Sequence, residues 1–206
     1  ADSALEWNQT AKTYTANGNA KAVQGASSVQ ADKLIAYYDE SKDKTTNITR
    51  LEALGHVNLK SGTDTAFGEK AIYDLVKGVA VLDGGRAKII QQEQNTLEAD
   101  KIVLTLGSSS DVKAIRSLKM AEAEGNVIVT NGSQIGKGDR AIYNPEKNTA
   151  ELIGHVKITQ ENNWLAGDRA EIDLTTHISR LTNESGKGQV KGVFTTKPKA
   201  NLKGDK

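Results

Sequence analysis

Apolar and polar residues alternate along much of the chain, in stretches that each centre on a glycine. Around Gly125, for example, Ala121, Ala123, Val127 and Val129 stand two and four positions away, with mostly polar residues between them. A period of two is typical of a β-strand with one buried face, whereas an amphipathic helix needs a period of about 3.6. Because glycine inside a strand usually marks a bulge or a bend, the pattern predicts strands that bend at these glycines.

The stretches form a repeat of five units, which centre on Gly18, Gly55, Gly85, Gly125 and Gly154. A second signature follows each glycine after thirteen residues, or fourteen in the third unit, and reads small, acidic, basic, apolar. Its five copies are Ala31-Asp32-Lys33-Leu34, Gly68-Glu69-Lys70-Ala71, Ala99-Asp100-Lys101-Ile102, Gly138-Asp139-Arg140-Ala141 and Gly167-Asp168-Arg169-Ala170. Each unit is predicted to form about two strands, and neighbouring units bury their apolar faces together.

Regularly spaced short strands with polar turns predict an all-β fold, which is a barrel, a sandwich or a stack of antiparallel strands. The weakest stretch runs from Asp111 to Glu124, and we assign it to a strand rather than a helix because Ala121 and Ala123 follow the repeat. We expect one domain over residues 1–185, followed by a basic and partly flexible strand or tail over residues 186–206.

The repeat also predicts which side chains line the interior. In the third unit its frame places Val81 on the inward face, with Asp83 as an exception. Eight alanines share the inward face, and such small side chains leave room for an apolar ligand: Ala16, Ala20, Ala22, Ala53, Ala87, Ala121, Ala123 and Ala150. The larger residues predicted to form an apolar groove are Val57, Leu59, Ile89, Ile102, Leu104, Val127, Val129, Leu152, Val156 and Ile158.

Composition narrows the class of protein. The chain has no cysteine, which excludes disulfides and thiolate chemistry, and no apolar stretch approaches the ~18 residues of a membrane-spanning helix. Its few aromatic residues are scattered, so nothing indicates a nucleic-acid site. Residues 186–206 hold six lysines and one acid although the whole chain has a net charge of only +1. We expect a solvated tail that can also cover the last sheet edge, and a binding site for an anionic partner is the less favoured alternative.

The acids and histidines of the repeat do not form a recognisable catalytic or metal site. The acids occupy equivalent positions, one in each unit: Asp32, Glu69, Asp100, Asp139 and Asp168. A glycosidase instead needs two carboxylates within ~5–10 Å of each other, so we expect surface ion pairs or turn formers. His56 and His155 face outward by the alternation and belong to distant units, while His177 has no partner in sequence. We therefore expect no catalytic residue, no metal and no cofactor.

The two signatures together resemble the OstA-type repeat of the LptA family of lipopolysaccharide-transport proteins. The clearest copy spans residues 152–160 and 167–174, and it contains Gly154-His155-Val156 followed by Gly167-Asp168-Arg169-Ala170. The beginning of the chain, Leu5-Glu6-Trp7-Asn8-Gln9, is similar to the beginning of the mature family members. The resemblance covers about residues 1 to 195, and its specificity comes from the five copies in frame.

The resemblance implies an open, twisted β-jellyroll whose apolar interior shelters the acyl chains of lipopolysaccharide between the inner and outer membranes of a Gram-negative bacterium. It implies a location in the periplasm, with the export signal already removed, and a strand before Ala1 that belongs to the family pattern. The expected partners are lipopolysaccharide, a membrane-anchored inner-membrane protein, the outer-membrane translocon and further copies of the chain, joined head to tail. The alternatives are a carbohydrate-active β-solenoid enzyme and a structural repeat module without lipid binding.

Overall fold

Fifteen strands make up the regular structure of the chain in the computed structural model, which describes residues 1–40, 46–91, 95–107, 118–173, 175–176, 178–183 and 189–195. They are β1 (Ala4–Asn8), β2 (Thr13–Gln24), β3 (Ser27–Glu40), β4 (Thr46–Ser61), β5 (Asp64–Asp74), β6 (Val79–Asp83), β7 (Ala87–Gln91), β8 (Asn95–Ala99), β9 (Lys101–Leu106), β10 (Leu118–Asn131), β11 (Gln134–Asn144), β12 (Thr149–Gln160), β13 (Asn163–Asp173), β14 (Ile178–Thr182) and β15 (Lys191–Val193). No helix occurs among the described residues. The predicted all-β class is therefore confirmed.

The strands form one antiparallel sheet that divides into two layers in its middle. From β1 to β5 and from β10 to β14, each strand pairs with the next one along the chain. Between these two blocks the sheet divides. One half of β5 pairs with β6 and the other half pairs with β7. In the same way, one half of β10 pairs with β9 and the other half pairs with β8. We call the layer with β6 and β9 layer A and the layer with β7 and β8 layer B. Each long strand has one half in each layer.

A β-bulge separates the two halves of the long strands at the predicted glycines. The strand register shifts between Asn17 and Ala20, Leu54 and Val57, Glu124 and Val127, and Ile153 and Val156. The glycine and the residue after it are both left-handed, with φ of 76° at Gly154 and 47° at His155. Two such residues in succession turn the strand, and glycine adopts this conformation without the steric penalty that a Cβ brings. The predicted bends are confirmed.

The two layers face each other across the apolar side of the sheet. Side chains next to the bulges are almost completely buried on this side, as Val57 and Val127 show. The described residues contain no helix to cover that face, so the opposite layer must exclude water from it. The sheet therefore folds over at its bulges into a sandwich, which is the β-jellyroll that the resemblance implies.

The third unit departs from the predicted frame because its bulge is one residue longer. Residues 84–86 connect β6 to β7, whereas two residues occupy this place in the other units. An extra residue reverses the alternation on one side of a bulge. Leu82 accordingly faces inward at 1% exposure, and Val81 lies on the outer face. The prediction for Val81 is wrong.

The remaining sequence predictions concern two segments. Residues 118–124 lie in β10, as predicted, and residues 111–117 lie outside the described residues. Near the end of the chain, β15 pairs with β13 in layer B, beside the part of β13 that β14 leaves uncovered. A described part of the basic segment thus covers this sheet edge, while the division of the chain at residue 185 stays a prediction.

Candidate functional site

The ten predicted groove residues lie on one surface, the inward face of the folded sheet. Six belong to the buried core: Val57, Ile102, Val127, Leu152, Val156 and Ile158. The other four are partly buried and pack against that core: Leu59, Ile89, Leu104 and Val129. The surface includes strands from both layers and from both ends of the chain. Its contact with a lipid stays a prediction.

Burial on the inward face decreases with distance from the bulges. In layer B, Val57 and Val127 stand next to a bulge and are 2% and 1% exposed. Two residues farther along the same strands, Leu59 and Val129 are only half-buried. The interior is therefore sealed at the bend and partly open towards the strand ends. Ile158, at the same distance from its bulge in β12, stays buried at 6% exposure, so the interior does not open equally along layer B.

The inward alanines next to the bend do not line an open space. Five of the eight are buried: Ala20, Ala53, Ala87, Ala121 and Ala123. The expectation that they leave room for a ligand is wrong for these five, because small side chains here let the two layers approach each other closely. Of the other three alanines, Ala16 and Ala150 are half-buried and Ala22 is exposed.

Polar side chains form a continuous row at the open end of layer B. Each long strand contributes the residue that flanks its hairpin turn, and this residue lies two positions from an inward apolar residue and so shares its face. The row, which we call the amide row, consists of Gln24, Ser27, Ser61, Asp64, Gln91, Asn95, Asn131, Gln134, Gln160 and Asn163. Ser27 Oγ donates to Ser61 Oγ at 3.3 Å, and Gln91 Nε2 donates to Asp64 Oδ2 at 3.3 Å.

The open end of layer A carries different side chains. Its neighbouring strands β9 and β10 pair Leu106 with Leu118, where layer B pairs Asn95 with Asn131. The two rims of the inward face therefore differ in chemistry: layer A is apolar at this point, whereas the row along layer B is hydrogen-bonding and uncharged except for Asp64.

The signature acids bind the bulge of a neighbouring strand. The contacts are His56 Nδ1 to Asp32 Oδ2 at 2.8 Å, His155 Nδ1 to Asp139 Oδ2 at 2.7 Å, and Asn126 Nδ2 to Asp100 Oδ2 at 2.8 Å. The pairs of Asp32 and Asp139 with histidine are exposed, as predicted for surface ion pairs, and Asp100 lies at the bend between β8 and β9. The carboxylate also occupies the space where a Cβ on the bulge glycine would stand, for example at Gly154. The two signatures of the repeat are thus the two halves of one contact.

The two bulge histidines have raised pKa values. The hydrogen bond to Asp32 is the largest cause for His56, followed by the attraction of the same carboxylate and of Glu69. For His155 the hydrogen bond to Asp139 is the largest cause. Both imidazoles are exposed, as the alternation predicts.

Four arginines of the outer face have acidic partners. The pairs are Arg50 with Glu52, Arg86 with Glu98, Arg140 with Glu122, and Arg169 with Glu151. A carboxylate beside each guanidinium neutralises much of the charge that a phosphorylated ligand would seek.

The inward face stays apolar at both ends of the sheet. At the first end, Leu5 pairs with Ala16 and Trp7 with Tyr14, and Leu5 is 78% exposed. At the other end, Phe194 follows β15 and is 70% exposed. Among the described residues no strand pairs with the second edge of β1. Both ends therefore present apolar side chains beside unpaired backbone.

Sequence reasoning missed several members of the inward surface, including Leu82, Val29 and Leu97. Leu82 was hidden by the longer bulge of the third unit. Val29 and Leu97 pack against the core, and each stands two residues before a second signature. The alternation of apolar and polar residues before the second signature could therefore have identified Val29 and Leu97 as inward residues.

No metal-binding cluster is present among the described residues. No three histidine, aspartate or glutamate side chains in that part of the chain lie close enough to hold a metal ion. Within the same residues, no helix has the length and hydrophobicity needed to cross a membrane.

Known proteins resemble the chain in sequence and in fold. A family model described as LptA/(LptD N-terminal domain) LPS transport protein matches residues 1–110 and, a second time, residues 89–178. Among solved structures, the chain is similar to LptH from Pseudomonas aeruginosa, described as the LptA homologous periplasmic component of the conserved lipopolysaccharide transport device. The two are 17% identical with a TM-score of 0.55, over 65% of this chain and 95% of that one. At this identity the likeness establishes the fold alone. A search of curated proteins found no match.

Proposed function

Because the chain belongs to the LptA/(LptD N-terminal domain) family of lipopolysaccharide transport proteins, we propose that it shelters lipopolysaccharide acyl chains between layers A and B during transport through the periplasm. The observation that carries this proposal is the change in burial along the inward face. Apolar side chains are fully buried at the bend, as at Val57, and less completely buried two residues farther along at Leu59 and Val129. A surface of this kind shelters an apolar chain without requiring the protein to unfold.

The magnitude of acyl-chain burial determines how such a carrier works. Each buried CH₂ group contributes about 0.8 kcal/mol, so one sheltered long chain gains about 10 kcal/mol. A lipid bound this tightly does not return to water at a useful rate. The lipid must therefore pass to a neighbouring groove that offers similar burial, and the protein needs no catalytic step.

The proposed partners follow from this transfer requirement. The chain receives lipopolysaccharide from a membrane-anchored partner at the inner membrane and delivers it to a translocon at the outer membrane. Copies of the chain join head to tail, so that the groove continues from one to the next. The exposed Leu5 and Phe194 at the two ends of the inward face support this arrangement.

A photo-crosslinking amino acid tests the groove directly. We expect lipopolysaccharide to be captured when the crosslinker replaces Val129 or Leu59, which are half-buried on the inward face. Ile128 is the matched control, because it is the next residue of β10 and faces outward. Lys157 is a second outward control. Capture is measured by lipopolysaccharide immunoblot after irradiation in a Gram-negative host, and equal capture at Val129 and Ile128 would contradict the proposal.

A further inference from the structure

We propose that the amide row binds the uncharged polar groups of lipopolysaccharide next to the acyl chains, namely acyl amides, acyl esters and sugar hydroxyls. This inference rests on the proposed function, since it assigns a second part of the same ligand to the rim of the same groove. The row lies on the inward face, two residues beyond the half-buried apolar positions such as Leu59 and Val129. A lipid whose chains lie against those residues brings its first polar groups to the row.

The composition of the row differs sharply from that of the chain. Asparagine and glutamine make up 23 of the 206 residues, yet they fill seven of the ten positions of the amide row. The chain is 26% charged, whereas the row contains one acid and no base. A carboxamide both donates and accepts hydrogen bonds, which suits amides, esters and hydroxyls. A site for phosphate would instead use lysine or arginine.

A position beside a hairpin turn does not by itself explain these residues. On the inward face at the opposite end of the strands, the last pairs include Leu106 with Leu118, Tyr73 with Ala80 and Tyr143 with Ala150, and none of these is a carboxamide. Carboxamides are thus concentrated on one rim. This is the rim of layer B, where the members of the row stand on neighbouring strands from β2 to β13.

Strand register makes the row suitable for a moving ligand. Neighbouring side chains follow at the strand spacing of about 4.8 Å, so a polar group that leaves one carboxamide meets the next within one step. Asn131, Gln134 and Gln160 illustrate this, because they stand opposite one another on β10, β11 and β12. Hydrogen bonds to neutral groups are individually weak and exchange readily, whereas a lysine–phosphate pair is stronger and holds the ligand in place.

The test compares two variants that differ only in hydrogen bonding. In one, Asn131, Gln134 and Gln160 are all replaced by valine, and in the other all three are replaced by threonine, which has almost the same shape and keeps a hydroxyl. The probes are the acylated disaccharide of lipopolysaccharide with its phosphates, the same molecule without phosphates, and a long-chain fatty acid. Affinities are measured by isothermal titration or fluorescence displacement, and circular dichroism confirms the fold of each variant.

We expect the valine variant to bind both disaccharides at least roughly tenfold more weakly than the unmodified chain, since three modest hydrogen bonds are lost. The threonine variant is expected to retain most of the affinity, and fatty-acid binding is expected to be unchanged in both. Unchanged disaccharide binding by the valine variant, or a loss confined to the phosphorylated form, overturns this inference and leaves the proposed function standing. An unmodified chain that binds none of the lipids overturns the proposed function itself.

A second measurement uses the unmodified chain and does not depend on any variant folding. In ¹⁵N-labelled protein, the side-chain amide signals of Asn131, Gln134 and Gln160 are expected to shift when the dephosphorylated disaccharide binds. Asn144 is the internal control, because it lies at the other end of β11 and its Oδ1 accepts a hydrogen bond from the Lys147 backbone N–H. Shifts at Asn144 without shifts in the amide row overturn the inference.

Discussion

In the bulges at Gly55, Gly125 and Gly154, glycine is required for two reasons: its backbone conformation and the lack of space for a Cβ. Its φ lies in the left-handed region, as at Gly125 with 76°, and an added Cβ would overlap the carboxylate of Asp100. The residue after the glycine is Asn or His in these bulges, and its side chain binds that same carboxylate. The repeat therefore preserves a contact between strands rather than a strand by itself.

Replacing both bulge histidines by asparagine tests how pH acts on these contacts. The raised pKa values of His56 and His155 imply that their stabilising contribution is fully present below the unfolded pKa of about 6.5 and is lost as pH rises through the folded pKa. We expect the His56→Asn/His155→Asn variant to keep the bulges, as Asn126 does, and to lack this dependence.

The measurement is urea unfolding of the unmodified chain and of the double variant at pH 5.5 and at pH 8. We compare the free energies of unfolding of the unmodified chain and of the variant. The unmodified chain is expected to be the more stable of the two by a larger margin at pH 5.5 than at pH 8. Imidazole titration by NMR provides the control, since Asp32→Asn should lower the pKa of His56 and leave that of His155 unchanged. An identical pH dependence of stability in both proteins would contradict the prediction.

At the scale of the strands, the bulges decide which face each side chain occupies. A bulge of two residues keeps the apolar alternation in frame on both sides of the glycine, as in β4 and β12. The three-residue connection between β6 and β7 reverses it on one side. In β6, Leu82 therefore faces inward and Val81 faces outward, which is the reverse of what the repeat pattern predicts.

Two alanine substitutions in β6 separate the predicted frame from the observed one. Leu82→Ala is expected to lower the free energy of unfolding by about 2–4 kcal/mol, because it removes a fully buried side chain. Val81→Ala, its neighbour on the outer face, is expected to lower it by about 1 kcal/mol or less. Urea denaturation measures both, and a larger loss for Val81→Ala would restore the frame that the sequence pattern predicts.

At the scale of the whole molecule, the folded sheet is open at both ends. The first edge strand, β1, exposes Leu5 on the inward face, and the last layer B strand, β15, is followed by the exposed Phe194. An edge that pairs with a different edge of a second copy gives a head-to-tail contact, which extends without closing. The groove then continues across the junction.

A charged residue at the first edge tests the head-to-tail contact. Leu5→Glu is expected to reduce the increase in sedimentation coefficient with protein concentration, because it places a charge in an apolar junction. Val76→Glu is a matched control, since Val76 is 76% exposed, much as Leu5 is, but lies in the turn between β5 and β6. We expect Val76→Glu to behave as the unmodified chain. A strict monomer at high concentration, or equal effects of both substitutions, would contradict the contact.

The sequence by itself determined the class of fold and most of the inward surface. Alternation with a period of two is a local property, because successive side chains of a strand point to opposite faces. It therefore identified Val127 and Val129, and the corresponding residues of the other units, without knowledge of the partner strands. The glycines marked the bends for the same local reason, since only a few residue types adopt a left-handed φ at low cost.

Only the tertiary structure decided which residues meet across strands. Asp32 and His56 are 24 positions apart, and nothing local shows that the acid of one strand fills the space beside the glycine of the next. The reversed frame at Leu82 depends on the length of a bulge relative to the strand opposite it. The amide row likewise exists only through register, because its members come from separate hairpins that the sheet places side by side. Register is a relation between distant segments, and a one-residue difference in it moves every side chain to the other face.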